Sequence, residues 1–324
     1  MIENAVPVRR FGVSRSSLQK LIIVGIMLIL VIALSLLSRE FLTFSNFSNV
    51  TRQIAIVIIT GSAVTLLMIS GNIDLSVGSV VAMTGVLVAI FSSRLGIPLW
   101  ISVILASLFG GVTGSINGFL VTKLKIPSVI ATLGTMYVAR GLAYVFCDGK
   151  TVNLGLPDNF RWLGGGFVGP VPIPLLLTVV IACVFIFVQM KTLLGKYAFA
   201  IGGNKVTALL SGINVNLVTF LLFILSGILA GFSGTILASR MGVGMPTVGI
   251  GFEFDVIVAI LLGGTSLSGG VGTVWGMIVG AFIVGLLGNG LNLLNVFTFY
   301  QSILKGIVLV VAVVLDITLK EKLE

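Results

Sequence analysis

The chain has 324 residues, of which 57% are hydrophobic and 9% charged, with a net charge of +9 and a mean hydropathy of +1.22. A soluble domain carries about a quarter charged residues, so this balance excludes an ordinary globular protein and points to a polytopic membrane protein. The excess of lysine and arginine reads as loop charge that sets membrane topology, and no nucleic-acid partner is expected.

The first apolar run, 21–38, follows Arg9, Arg10, Arg15 and Lys20 as a signal peptide would. It is longer than a signal core and ends in Ser38-Arg39-Glu40 with no small-x-small cleavage site, so it is expected to be a retained span. Nine more runs follow, at 53–70, 75–93, 98–121, 128–146, 172–190, 215–238, 254–264, 273–292 and 301–319. The runs do not alternate as barrel strands do, so the fold class expected is all-α: a polytopic membrane helix bundle of about ten membrane segments. The organisation expected is a cytoplasmic tail at 1–20, one transmembrane domain at 21–319 and a cytoplasmic tail at 320–324.

The eighth run is too short for a straight crossing and is followed at once by Gly263-Gly264 and Gly269-Gly270, which predicts a broken or re-entrant segment. With the N-terminus inside, the inner segments hold eleven basic residues and the outer ones six, so both termini are expected in the cytoplasm. The Pro- and Gly-rich stretch 147–171 then lies outside. Gly110, Gly114, Gly118, Gly276 and Gly280 fall four apart and predict close helix packing.

There are no histidines and two cysteines, Cys147 and Cys183. Zinc, haem and histidine-based triads are thereby excluded, and no cofactor or metal is expected in this chain. A disulfide between the cysteines is not decidable from sequence.

Ten acids exist, and only Asp74, Glu253 and Asp255 stand at the mouths of apolar helices. Asp74 opens IDLSVGSVVAMTG and Asp255 opens EFDVIVAILLGG, one from each side of the membrane, a weak echo consistent with an inverted repeat. Asp74 has two readings. As a helix N-cap it accepts free amides and suits the helix dipole; as a proton or cation site it couples transport. The cap is the leading reading for both Asp74 and Asp255. The other large polar groups within spans are neutral: Asn117, Asn289, Asn292, Gln301 and Tyr300. Amides and hydroxyls suit a neutral, hydroxyl-rich solute, although the same groups also hold neighbouring helices together.

The segment 195–215 carries Lys196 and Lys205 around the moderately amphipathic NKVTALLSGI. It predicts a short cytoplasmic helix that lies on the membrane or docks a partner. No GxxxxGK[ST] phosphate loop exists, so the chain is not itself expected to hydrolyse ATP.

GNIDLSVGS, IATLGTMYVARG, GGN…LSGINV, GFEFDVIVAILLGGTSLSGGVGT and NGLNLL…FYQSILKG occur in this order. Together they resemble the membrane permease of ribose-type ABC sugar importers, a family that includes ribose, xylose, arabinose, galactose and autoinducer-2 permeases. The resemblance covers nearly the whole chain from about residue 20. It implies an all-α inner-membrane helix bundle that forms a dimer of permease chains, as a homodimer or with a paralogue, with two ATP-binding cassette subunits docked below and a periplasmic sugar-binding protein above. It makes 195–215 the coupling segment, with Gly212 on the glycine of the family's pattern. Lys205-Val206-Thr207 stand where that pattern has Glu-Ala-Ala, which puts the individual contacts in doubt.

The function expected is the transmembrane subunit of an ATP-driven importer that moves a monosaccharide by alternating access. The expected path residues are Asn72, Asp74, Asn117, Asp255, Asn289 and Asn292; the expected coupling residues are Lys196, Asn204, Thr207 and Gly212. The alternatives are a branched-chain amino-acid permease of the same importer class, a proton- or cation-coupled secondary transporter centred on Asp74, and a membrane scaffold.

Overall fold

The computed structural model describes residues 15–153 and 158–321; the expected tail residues 1–14 and 322–324 lie outside the described residues. In chain order, α1 (Arg15–Leu37), α2 (Phe44–Ile69), α3 (Val77–Ala89, continued by a π turn over Ile90–Arg94), α4 (Leu99–Thr122) and α5 (Ser128–Phe146) come first. A small irregular layer follows: β1 (Val152–Asn153), α6 (Asp158–Gly165), β2 (Phe167–Val168) and β3 (Val171–Pro172). Then come α7 (Ile173–Lys191), α8 (Leu193–Gly203), α9 (Lys205–Leu210), α10 (Val215–Met241), β4 (Val243–Gly244), α11 (Phe252–Leu262), α12 (Val274–Leu293) and α13 (Thr298–Glu321). β1 pairs antiparallel with β4, and β2 with β3.

Helix boundaries follow local chemistry. The Thr43 side chain accepts the Asn46 amide at the start of α2, and the Thr273 side chain accepts the Gly276 amide at the start of α12. α4, α5 and α7 each begin directly after an extended proline, Pro98, Pro127 and Pro172, which lacks the amide that would extend a preceding ladder. α10 stops at Gly242, whose φ of 71° is a left-handed cap.

Each of the ten predicted apolar runs coincides with a helix. Among the described residues, seven helices are long and apolar enough to cross a membrane: α2, α3 with its π turn, α4, α5, α7, α10 and α12. α1 starts at Arg15, so it takes in the last residues of the expected tail. The stretch 147–171 is not wholly irregular, since it contains α6 and the β2–β3 hairpin. Cys147 is buried and Cys183 exposed, and both are free thiols.

α2 is the most enclosed of the seven, with 83% of its most apolar window buried inside the chain. It packs against α7, α10, α11 and α12, while α10 also packs on α3 and α4. The predicted small-residue contacts are where this packing is closest. A methyl added at Gly110 would strike the Gly227 carbonyl, one at Gly114 the Phe223 carbonyl, and one at Gly280 the Ala259 carbonyl. Bare backbones thus bring α4 against α10 and α11 against α12, and dispersion contacts accumulate where lipid offers no hydrophobic drive between helices.

α2 runs away from α6 and ends against α8; α10 runs the opposite way. Arg52 in α2 donates to the Gly165 carbonyl of α6 (2.9 Å), and the Gly270 amide near α8 donates to the Ile69 carbonyl that ends α2 (2.8 Å). These contacts define an α6 end and an α8 end of the bundle.

Candidate functional site

Two stretches of non-helical backbone interrupt the bundle. Residues 70–76 separate α2 from α3, and residues 242–251 separate α10 from α11. At about 1.5 Å per residue, the 11 residues of α11 span about 16 Å, half of a bilayer core. α11 is therefore the helical part of a broken segment, as its glycine flanks predicted. Such backbone persists at membrane depth only where protein groups or a water-filled cavity satisfy it.

The first break carries a closed polar network. Asp74 is 1% exposed, and no basic side chain pairs with it among the described residues. One carboxylate oxygen accepts from the Ser76 amide (2.9 Å) and hydroxyl (2.6 Å), and the other accepts from the Ser226 hydroxyl in α10 (2.7 Å). Asn117 in α4 donates to the Ser76 hydroxyl (2.9 Å), and Thr135 in α5 donates to the Asn117 side-chain oxygen (2.6 Å). A buried carboxylate is costly unless its lone pairs are met, and these three donors meet them without a counter-charge.

This arrangement corrects the capping reading. Asp74 binds the amide two residues ahead, within the break, whereas the cap position of α3 is Ser76, which makes no side-chain cap bond. Asp255 is not a cap either. The cap residue of α11 is Gly251, and Asp255 lies a turn inside, paired with Lys305 of α13 at 2.8 Å. Each carboxylate has a tertiary partner, Ser226 for Asp74 and Lys305 for Asp255, and the one local amide that Asp74 keeps, that of Ser76, lies inside the break and not in the first turn of α3.

Of the six expected path residues, the structure brings together two, Asp74 and Asn117. Asn72 donates to the Ser70 carbonyl and hydroxyl at the rim of the same break. Asn289 is buried in a reciprocal amide pair with Asn46 (2.8 and 3.0 Å), which ties α12 to α2. Asn292 accepts from Gln301 (2.8 Å) and ties α12 to α13. Asp255 serves the Lys305 pair.

The second break is held by Arg140 of α5. Its Nη1 donates to the Pro246 and Val248 carbonyls, both at 2.6 Å. Glu253 at the start of α11 carries an opposing charge that acts on this guanidinium. Thr247 and Ile250, on the same break, are exposed.

The expected coupling segment is a pair of short helices, α8 and α9. Asn204 accepts the Thr207 amide (2.9 Å) and so caps α9. Lys196 and Thr207 are exposed, and Gly212 turns the chain with φ of 81° in open space. α9 turns Val206, Leu209 and Leu210 outward and Ala208 inward. α8 rests on the end of α2, where a Cβ at Gly202 would strike the Ile69 carbonyl.

Sequence reasoning missed Ser76, Ser226, Thr135 and the role of Arg140. Ser76 had a signal, since a serine two residues after an aspartate invites a local hydroxyl and amide bond. Arg140 had a stronger one, because a guanidinium inside an apolar run is rarely without a purpose. Ser226 and Thr135 had none, as single hydroxyls are common in membrane helices.

A family model described as "Branched-chain amino acid transport system / permease component" matches residues 46–313. The chain is 44% identical over 290 residues to the ribose import permease protein RbsC of Bacillus subtilis (strain 168), covering 89% of each chain. It is 38% identical over 293 residues to RbsC of Haemophilus influenzae, covering 90% of each. With the L-arabinose ABC transporter permease protein AraH of Azospirillum brasilense it shares 39% identity over 301 residues, 91% of this chain and 86% of the relative. No solved structure matches.

Proposed function

The chain belongs to the transport-system permease family described for branched-chain amino acids, and on that premise we propose that it is the transmembrane subunit of an ATP-driven importer of a monosaccharide. The observation that carries the substrate class is the near full-length similarity to permeases named for ribose and arabinose, at 38–44% identity. The family description itself names branched-chain amino acids, the runner-up substrate. A zwitterion needs a partner for each charge, whereas the network around Asp74 offers hydroxyls, an amide and a carboxylate already occupied by three donors.

Energy comes from outside the chain, in ATP-binding subunits that dock on α8 and α9; no cofactor is assigned to this chain. The exposed Val206, Leu209 and Leu210 support the docking role, and the contact of Gly202 with the end of α2 gives motion there a route to the first break. At the opposite end, Arg161, Trp162, Gly165, Gly166, Ser239 and Arg240 line a cleft of about 390 Å³. Two guanidiniums beside an indole suit acidic side chains of a sugar-binding protein. With α8 and α9 cytoplasmic, as the charge bias favours, that cleft faces the periplasm and the chain lies in the inner membrane with both termini inside.

The inverted repeat is supported by equivalent pairings. If α2, α3, α4 and α5 correspond to α10, α11, α12 and α13, then α3·α10 answers α11·α2, α4·α10 answers α12·α2, and α3·α5 answers α11·α13, and all of these pack. Each half places a break after its first long helix, the two breaks entering from opposite ends. Ten membrane segments follow from that correspondence plus α1 and α7.

Proteoliposomes carrying the permease, its ATP-binding partner and its binding protein test the reading against labelled pentoses, hexoses, autoinducer-2 and leucine. ATP-dependent uptake of one sugar is expected. Uptake by the permease alone under a proton or sodium gradient, or ATP-dependent uptake of leucine only, overturns it.

A further inference from the structure

α5 touches both breaks through side-chain bonds to groups that have left regular structure. Near its start, Ser128 accepts the Ile73 amide of the first break (3.2 Å), and Thr135 reaches Ser76 and Asp74 through Asn117. Twelve residues beyond Ser128, about 18 Å along the helix at 1.5 Å per residue, Arg140 holds the Pro246 and Val248 carbonyls of the second break. Among the described residues, neither carbonyl accepts a backbone amide outside regular elements. Left without a donor at membrane depth, each would go unsatisfied. The face of α5 away from Ser128 and Thr135 carries Gly134, Tyr137, Gly141 and Tyr144, all exposed, with Tyr137 and Tyr144 one turn to either side of Arg140.

We propose that α5 is a clip joining the two breaks, and that Arg140 is the positioning residue that holds the second break in the turned form linking α10 to α11. The role rests on the importer reading for its purpose: a rigid helix bonded to both breaks makes a shift at one felt at the other, which alternating access requires. Arginine suits the position because one planar group reaches two carbonyls and stays charged at depth.

The test uses the full transporter, assembled with its ATP-binding and sugar-binding partners, in three variants: Arg140→Met, Arg140→Lys and Ser128→Ala. Two quantities are measured, amide hydrogen exchange of the permease and sugar taken up per ATP hydrolysed. Arg140→Met is expected to raise exchange over 243–251 at least tenfold and to lower uptake per ATP about tenfold. Arg140→Lys is expected to regain most of both, since an ammonium still donates to carbonyls. Ser128→Ala is expected to raise exchange over 71–76 instead. If Arg140→Met does not assemble because Glu253 is stranded, the pair Arg140→Met with Glu253→Gln replaces it.

Unchanged exchange over 243–251 in the methionine variant overturns the clip. Raised exchange with unchanged uptake per ATP overturns the positioning role. If the unmodified transporter takes up no sugar under ATP, the importer reading fails, and the exchange pattern alone still decides whether α5 holds both breaks.

Discussion

At the scale of single residues, Asp74 decides between two mechanisms. A proton carrier must gain and lose a proton, so a side chain that does not titrate abolishes its role. A structural acceptor needs only oxygen lone pairs. Asp74→Asn keeps one oxygen for the Ser76 amide and hydroxyl, and the Ser226 hydroxyl is free to turn and accept from the new amide. ATP-driven uptake by this variant is expected to stay within a few-fold of the parent. Asp74→Ala strands the Ser76 and Ser226 donors in the core, and each buried unsatisfied group costs about 1–3 kcal/mol. A lower melting temperature and reduced membrane yield are expected for it. Complete loss of uptake in a folded Asp74→Asn protein would return the acid to a coupling role. That Asp74 is buried beside its helix was legible in GNIDLSVGS; its donor on α10 was not, because Ser226 lies 152 positions away and no local rule links them.

Among the elements, helices were legible and breaks only in part. Long apolar runs between prolines and glycines mark helix bodies, so every run from 21 to 319 met a helix. The break after α10 was legible on its far side, in the glycines following α11. Its near side, 242–251, was not, because a turned segment with four glycines and a proline looks like any loop until Arg140 is seen to hold it. The small-residue contacts were legible and carry a firm expectation. Gly227 faces the Gly110 carbonyl with no room for a methyl. Gly227→Leu therefore forces α4 from α10, and overpacking costs about 1–3 kcal/mol or more. Loss of the folded, detergent-stable permease is the expected outcome, read as aggregation on size-exclusion chromatography. Crowding of this kind does not extend to Gly212, which has open space around it. Its φ of 81° makes any side chain there cost of order 1–3 kcal/mol, borne by an exposed turn. Gly212→Trp is accordingly expected to fold and assemble in the membrane but to lose ATP-driven uptake, because the indole would stand beside the proposed docking face of α9. Intact uptake would remove Gly212 from the coupling segment.

For the whole molecule, the question is which outward faces meet lipid and which meet protein. The outward residues of α7 are Val179, Val180, Val184 and Phe187, and those of α4 include Ile101, Ile104, Leu108 and Val112, all suited to acyl chains. α5 mixes two kinds of outward residue. Only 28% of its most apolar window is buried inside the chain; Ile130, Val138 and Val145 point outward as acyl-facing residues do, and beside them lie the exposed Gly134, Tyr137, Gly141 and Tyr144. Tyr137 is 73% exposed and sits midway along the helix, far from the headgroup level where membrane tyrosines concentrate. Beside it, α4 and α5 line an apolar groove of about 440 Å³. Bare glycine backbone and mid-helix phenols gain little from lipid and much from a close protein surface or an aqueous path. A second copy of the chain across this face would supply both, with the two α5 helices flanking a shared path. The purified permease is expected to run at twice its 34.0 kDa chain mass by light scattering after detergent correction. A cysteine at Tyr137, introduced with Cys147→Ser and Cys183→Ser, is expected to form a cross-chain link with a short bifunctional maleimide, whereas one at Val180 on α7 is not. A monomeric mass, or equal linking at both positions, would show that the α5 face does not meet a second copy and leave it facing the path alone.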